Sequence, residues 1–224
     1  MLEKAINKDP EYASAYSNLG KCHWADWANG WSQDPQSLEQ AFELSQLAIA
    51  LDDSLTSARI VLSDVYLWKR LHDQAIVVIE RAVKLNPNCA DAIEQQGEIL
   101  IWAGRLQEGM ELVRKAMRFN PIYPVWYLLN LGHAYFLSDQ HEEAIEIFKR
   151  ALIINPDFLP VHLLLALIYA EKGCNEAAKV EVAEIPRISP ESYSLKALCQ
   201  RLPYKDQTVS ERVIEGLRKA GIPE

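Results

Sequence analysis

The sequence lacks a long apolar run, paired cysteines and any excess of positive charge. Apolar stretches such as 161–170 stop well short of the roughly 20 residues that cross a bilayer, and Glu3 and Lys4 follow the first residue closely. We therefore expect neither a membrane span nor a secretory signal. The four cysteines form no C-x-x-C pair, which favours reduced thiols of a cytoplasmic protein over a zinc knuckle or a disulfide framework.

Basic residues are outnumbered, with 23 lysines and arginines against 31 aspartates and glutamates. The resulting net charge of −8 opposes binding to nucleic acid phosphates or to anionic lipid. We therefore expect no nucleic acid and no membrane partner. A protein or peptide partner with basic and apolar segments is favoured instead.

Patterns that carry catalysis are missing as well. The sequence has no glycine-rich phosphate loop and no G-x-S-x-G motif. His141-Glu142 begins like a zinc-protease motif, but Ile145 stands where the second histidine is needed. We therefore predict that the protein is not an enzyme and has no catalytic residue, cofactor or metal ion.

What the sequence does contain is a repeat. An alanine followed five residues later by a proline recurs along the chain, with Ala48 to Asp53 as a variant that lacks the proline. The alanines at 48, 82, 116 and 151 are spaced by 34, 34 and 35 residues. Each unit also carries one small residue in each of two predicted helices, where a small side chain lets the helices approach closely. The first set is Gly20, Ser63, Gly97, Gly132 and Ala166, and the second is Ala41, Ala75, Gly109, Ala144 and Ala178.

This pattern resembles the tetratricopeptide family, most fully in one unit. The residues of that unit are Leu131-Gly132-x-x-Tyr135, Ala144, Phe148, Ala151 and Pro156. The resemblance implies an all-α fold, a right-handed superhelical solenoid of antiparallel helix pairs, formed by one domain over 1–224. We predict a lone second helix at 2–8, repeats at about 13–55, 56–89, 90–124, 125–158 and 159–191, and a C-terminal cap at 192–224.

Three places depart from the repeat. The first unit has extra residues in which Trp24, Trp27 and Trp31 share helical spacing, and these close the end of the core or form a ligand-binding aromatic patch. Asp34-Pro35 is expected to start the next helix. Pro186 is expected to shorten or kink the last second helix. After the fifth unit we predict a short helix at 192–201 and an amphipathic lid helix ended by Gly221 and Pro223.

A narrower resemblance is to the tetratricopeptide module at the C-terminus of bacterial class III adenylate/guanylate cyclases and of some bacterial transcription regulators. It is carried by Asp26-Trp27, Gly30-Trp31-x-x-Asp34-Pro35, Tyr123-Pro-x-Trp126, Arg201-Leu-Pro-Tyr-Lys-Asp206 and Gly216-Leu-Arg-Lys-Ala-Gly221. The resemblance implies a regulatory or scaffolding part of a signalling protein, and no catalytic residue carries over. Because the helix at 2–8 lacks a first-helix partner, we expect the chain to be part of a longer protein.

First helices line the concave groove in this family, so their unpacked positions are the candidate binding residues. These are Lys21, Trp24, Asp64, Trp68, Asp91, Glu94, Glu98 and Trp102, followed by Trp126, Leu129, His133, Phe136, Leu163 and Leu167. The acidic and aromatic lining predicts a scaffold that binds segments with Lys or Arg and large apolar side chains. Asp64 and Glu98 stand where a clamp for a C-terminal carboxylate needs basic or amide donors, so we expect no such clamp.

Three alternatives stay open on the sequence alone. The carboxylates could be solvated while the lid helix buries the apolar lining. The chain could be a self-association module of a larger signalling enzyme and form a homo-oligomer. The tryptophan-rich region could bind a small ligand, which would require a deep pocket with convergent polar groups.

Overall fold

The structure is a computed structural model that describes residues 1–28, 32, 34, 36–189, 195 and 202–223. These residues form helices and turns and contain no strand. The predicted roles of Trp31 and Pro35, and nearly all of the predicted helix at 192–201, lie outside them. The helices are α1 Leu2–Lys8, α2 Ala13–Ala28, α3 Gln36–Leu51, α4 Thr56–Trp68, α5 His72–Leu85, α6 Ala90–Trp102, α7 Leu106–Phe119, α8 Val125–Leu137, α9 His141–Ile154, α10 Leu159–Glu171, α11 Asn175–Ile188 and α12 Gln207–Ala220.

The chain divides into two compact units, Met1–Ile99 and Leu100–Glu224, and the boundary falls within α6. In unit 1, α2 packs against α3, α4 packs against α5, and α2 and α3 also contact α4. In unit 2, α8 packs against α9 and α10 packs against α11. The last helix, α12, lies on α10 and α11.

The small residues predicted from the repeat are buried at the contacts between paired helices. Alanines 41, 75 and 144 have no exposed surface, and Ala178 keeps only 2%. An added Cβ at Gly132 would lie only 2.8 Å from Cδ1 of Phe148. Close helix approach therefore depends on these positions, as the repeat pattern predicts.

The turns inside the helix pairs share one geometry that the repeat pattern did not reveal. The residue at the same place in four turns has a left-handed backbone, with φ between +57° and +84°; these residues are Arg70, Gly104, Asp139 and Gly173. In each turn the following amide donates to a carbonyl five residues earlier, for example Arg105 N to Leu100 O at 2.8 Å. This is the Schellman ending of an α-helix, and it reverses the chain within three residues.

The second helices also share one C-terminal geometry. The carbonyl of the marker alanine accepts a hydrogen bond from the amide four residues later, as Asn86 does to Ala82 at 3.0 Å and Asn155 does to Ala151 at 2.9 Å. A proline follows one residue after each of these asparagines and cannot continue the helix. The alanine-to-proline spacing in the sequence is therefore the signature of a helix C-terminus.

Two local predictions have different outcomes. Asp34 lies before α3 as predicted, and its Oδ1 accepts a hydrogen bond from the Gln36 amide at 2.9 Å. The prediction that Pro186 shortens α11 is wrong, because this helix has 14 residues, as do α5, α7 and α9. Pro186 lies on the exposed side of α11, in the last turn of the helix, where only two helical residues follow it.

The predicted C-terminal helix is present as α12. The Oδ1 of Asp206 accepts from the Thr208 amide at 2.9 Å and caps the start, and Gly221 ends the helix with φ of +100°. Val213 and Leu217 are buried on one side, whereas Glu211, Glu215, Arg218 and Lys219 are exposed on the other. This helix is therefore amphipathic and has its apolar side against α10 and α11.

Candidate partner-binding surfaces

Unit 1 contains an aromatic cluster built on the extended first helix. The rings of Trp27 and Trp68 meet edge to face with centroids 5.5 Å apart, and Trp24 packs against the same group of buried residues. Trp24 and Trp68 are both half-buried, so part of each ring faces outward. The tryptophans therefore close the core at this end of the helix pair, and they leave an aromatic surface beside it.

The acidic side chains of α4 and α6 lie near one another in unit 1. Asp64 is buried, and its Oδ1 accepts a hydrogen bond from Gln95 Nε2 at 2.7 Å. Burial raises the pKa of Asp64 well above its usual range, and the negative charge of Glu98 raises it further. The hydrogen bond from Gln95 and the charge of Lys21 act in the opposite direction on this pKa. A cation placed near Asp64 would therefore favour the ionised form of its carboxyl group.

The other predicted residues of unit 1 differ in exposure. Lys21 and Asp91 are exposed, Glu98 is half-buried and Glu94 is buried with 2% of its surface exposed. Asp64 and Glu94 are therefore not solvated carboxylates, which was one of the alternatives left open by the sequence. The exposed Asp91 and the half-buried Glu98 therefore provide the accessible negative charge.

Replacing Asp64 with asparagine is expected to stabilise unit 1 at neutral pH. Because folding raises the pKa of Asp64, ionisation of this buried carboxyl group lowers the free energy of unfolding. This cost is absent below the unfolded-state pKa of 3.8 and increases as the pH rises through the folded-state pKa. We expect a gain of about 1 kcal/mol in the free energy of unfolding at pH 8, because losing the charge-assisted bond from Gln95 offsets part of the benefit. Urea denaturation at pH 4 and pH 8 measures it. Equal effects of the substitution at both pH values would contradict the prediction.

Most predicted lining residues of unit 2 are covered in the structure. Trp126 is exposed and Trp102 and Leu129 are half-buried, but four others are buried. Those four are His133, Phe136, Leu163 and Leu167. The sequence left open whether the lid helix buries this lining, and in the structure residues 202–222 of the same chain pack over three of the four, while Leu163 lies within the core.

Tyr204 is the first anchor of this covering segment. Its Oη lies 2.6 Å from Nε2 of His133, and its ring centroid lies 4.5 Å from that of Trp102. The amide of the next residue, Lys205, donates to the carbonyl oxygen of Trp102 at 3.1 Å. Burial lowers the pKa of His133 to about 3 and raises that of Tyr204, so both groups are neutral at pH 7. A neutral phenol and a neutral imidazole therefore share one buried hydrogen bond.

Arg212 is the second anchor. Its guanidinium donates to both carboxylate oxygens of Glu171 at 2.9 Å and lies 2.8 Å from Oδ1 of Asp139. The same group lies over the ring of Phe136, 4.8 Å from the ring centroid. Hydrogen bonds to Glu171 raise the pKa of Arg212 further. This bidentate pairing fixes both the position and the direction of the segment.

Sequence reasoning missed Tyr204, Arg212, Glu171 and Gln95 as members of these surfaces. Tyr204 lies inside the Arg201–Asp206 motif that carried the narrower resemblance, but the motif assigned it no role. Glu171 occupies the register position that Trp68 and Trp102 hold in earlier repeats. The change from an aromatic to an acidic residue at this position, together with an arginine on the predicted lid helix, indicates that Glu171 and Arg212 can pair.

Within the described part of the chain, no group of three or more His, Cys, Asp or Glu side chains is placed to hold a metal ion. None of the helices described is both long and apolar enough to traverse a bilayer.

Comparison with known proteins identifies the repeat type. Family models of the tetratricopeptide repeat match residues 56–89 and 125–158, the ranges of the second and fourth units. The chain contains tetratricopeptide repeats. Proteins built from such repeats act as scaffolds that bind proteins or peptides along the surface formed by stacked helices. Repeats alone do not name a partner.

Individual relatives agree with this assignment. Anaphase-promoting complex subunit 3 of Schizosaccharomyces pombe is 30% identical over 110 residues, which are 49% of this chain and 16% of that protein. This chain spans less than a quarter of the length of the curated relatives it matches.

Solved structures match over most of the chain. PilW, a type IV pilus biogenesis factor, has a TM-score of 0.65 at 21% identity over 91% of this chain and 88% of its own. YrrB, a tetratricopeptide protein with an unusual peptide-binding site, has a TM-score of 0.51 at 20% identity over 88% and 96%. These similarities confirm the predicted all-α tetratricopeptide fold.

Proposed function

We propose that unit 1 binds a protein segment that carries lysine or arginine together with large apolar side chains. The observation that carries the proposal is the arrangement in unit 1 of the acidic side chains of α4 and α6 with the half-buried tryptophans of α2 and α4. A cation can pair with the carboxylates, and its aliphatic stem can lie on an indole ring. The peptide-binding site named for YrrB supports a peptide as the form of the partner.

The proposal gives Asp64 a specific part in binding. A cationic side chain near its carboxyl lowers the pKa of Asp64, so that binding releases a proton and tightens as the pH rises. The exposed Asp91 and half-buried Glu98 supply the attraction that draws the segment in. The chain then acts as an adaptor that selects for charge and apolar content.

Titration with labelled peptides of both charge signs tests this function. Peptides that alternate lysine and leucine are expected to bind at least ten-fold more tightly than matched glutamate and leucine peptides. The double variant Asp91→Lys and Glu98→Lys is expected to lose at least ten-fold in affinity for the basic peptide. Glu111→Lys, an exposed charge reversal on second helix α7, is the matched control and should leave affinity within two-fold. Equal binding of acidic and basic peptides would reject the proposal.

The wider context that we propose is the regulatory part of a bacterial signalling protein. The support is the sequence resemblance to the C-terminal module of class III cyclases, carried by the motifs around Asp26-Trp27 and Tyr123-Pro-x-Trp126 and by Arg201–Asp206. In that setting the basic segment bound by unit 1 belongs to a protein that the signalling enzyme must find or hold. The enzyme's own chemistry lies outside this chain.

A further inference from the structure

In unit 2, residues 202–223 of the chain itself lie on first-helix residues that the repeat pattern predicts to bind a partner. The residues that grip the segment come from first helices: Trp102 on α6, His133 and Phe136 on α8, and Glu171 on α10. Three of these four are predicted lining residues. The segment therefore occupies unit 2 as a bound partner would.

The contacts are more selective than a lid requires. A lid needs only an apolar face, which Val213 and Leu217 supply. Tyr204 in addition places a hydroxyl 2.6 Å from a histidine nitrogen inside the protein, and Arg212 makes a bidentate pair with Glu171. Buried polar partners of this kind reject a segment that lacks the matching group, because the receptor group would be left unpaired.

We expect release of the segment to leave the helix pairs of unit 2 intact. Among the described helices, α12 contacts α10 and α11, and these two also pack against each other. A single helix of this length is marginally stable in water, so local opening costs only the contacts of the segment. The segment can thus exchange without unfolding the repeats beneath it.

We propose that unit 2 is a second recognition site, specific for a protein segment with a tyrosine followed eight residues later by an arginine, and that residues 202–223 occupy it and compete with that partner. The tyrosine is recognised by Trp102 and His133, and the arginine is recognised by Glu171, Asp139 and Phe136. The negative charge around Arg212 provides the complementarity. This inference rests on the proposed function only in taking first helices as the recognition surface, since it involves unit 2 and none of the unit 1 carboxylates.

The test uses the full chain and a labelled peptide with the sequence of residues 202–223. Asp206→Ala removes the exposed cap of α12 and leaves Tyr204 and Arg212 unchanged, so it raises the fraction of chains with an open site. We expect it to lower the apparent Kd of the peptide about five-fold relative to wild type. Asp206→Asn keeps a capping oxygen and is the matched control, with an affinity like wild type.

Specificity is tested in the Asp206→Ala background. The peptide carrying Arg212→Gln should bind at least ten-fold more weakly than the unchanged peptide. Glu171→Gln in the chain weakens the peptide and the competing segment alike, so it should shrink the ten-fold preference for the unchanged peptide over the Arg212→Gln peptide to within two-fold. Glu142→Gln is the matched control, because Glu142 is exposed and pairs with Lys172 rather than with Arg212, and it should leave this preference unchanged.

Hydrogen exchange of the unmodified chain gives an independent readout. Amides of α12 are expected to exchange at least ten-fold faster than those of α8 and α10, which are covered by the segment. Exchange of α12 at the same rate as α8 would mean that the segment opens only when unit 2 unfolds, and it would overturn the proposal. So would a scrambled peptide that binds as well, or a mass that doubles with concentration, which would make a second copy the occupant. If only the binding of basic peptides to unit 1 failed, all of these expected results for unit 2 would still hold.

Discussion

Replacing Gly132 with alanine is expected to lower the free energy of unfolding of unit 2 by about 1–2 kcal/mol. A Cβ at this position would lie 2.4 Å from Cε1 of Phe148 and 2.8 Å from Cδ1, well inside the contact distance of two carbon atoms. Phe148 has no exposed surface, so its ring can move only by displacing other core residues. Overpacking of this kind costs roughly 1–3 kcal/mol, and more where neighbours are rigid, whereas alanine favours a helix by only about 1 kcal/mol over glycine.

A double-mutant cycle with Phe148→Leu separates the clash from other effects. Phe148→Leu alone removes ring atoms from a filled core and is expected to destabilise unit 2 by about 1–2 kcal/mol. In the double variant the alanine methyl group enters space left by the ring, so the two effects should fall short of their sum by at least about 1 kcal/mol. Urea denaturation followed by circular dichroism measures all four proteins.

The control for this prediction is Gly20→Ala in unit 1. There the nearest atom to an added Cβ is the Ala41 carbonyl oxygen at 3.3 Å, so a shift of a few tenths of an ångström relieves the contact. The substitution should change stability by less than about 1 kcal/mol, because helix propensity offsets the remaining strain. Equal costs at the two glycines, or additive effects of Gly132→Ala and Phe148→Leu, would show that the close approach at Gly132 is not what stabilises unit 2.

The helices could be predicted from the sequence because the constraints on them are local and repeated. A marker alanine whose carbonyl ends a helix and a proline that follows it recur at fixed spacing, so both ends of each unit are visible. The turn geometry was harder to see. Arg70 and Asp139 hold the same left-handed backbone as Gly104 and Gly173, and glycine appears at only two of the four places.

The sequence could not decide whether the surface of unit 2 is open or covered by the lid helix, because this depends on where a segment outside the repeat docks. The pattern predicts that His133 and Phe136 lie on the inner side of a first helix, and that register is the same for an open and an occupied surface. The contacts of Tyr204 with His133 and of Arg212 with Glu171 in the structure distinguish the two cases. The burial of Asp64 was hidden for a related reason, since a carboxylate at a lining position is ordinarily taken to be solvated.

Acidification is expected to destabilise unit 2 through His133. Its folded-state pKa of about 3 lies below the ordinary value of 6.5, so the unfolded chain binds more protons between these two values. The stability that neutral His133 contributes is therefore fully present above pH 6.5 and is lost as the pH falls toward 3. Between pH 7 and pH 5 the loss from this one residue amounts to about 2 kcal/mol in the free energy of unfolding.

The measurement compares wild type with His133→Gln, because carboxylates elsewhere titrate in both proteins and cancel in the difference. Urea denaturation at pH 7 and pH 5 should show that the advantage of wild type over the variant shrinks by about 2 kcal/mol on acidification. A wild-type advantage that stays constant with pH would mean that His133 accepts a proton without losing its place beside Tyr204. In that case burial would not be what keeps the imidazole neutral, and the hydrogen bond between the two rings would tolerate a charge that this environment is expected to exclude.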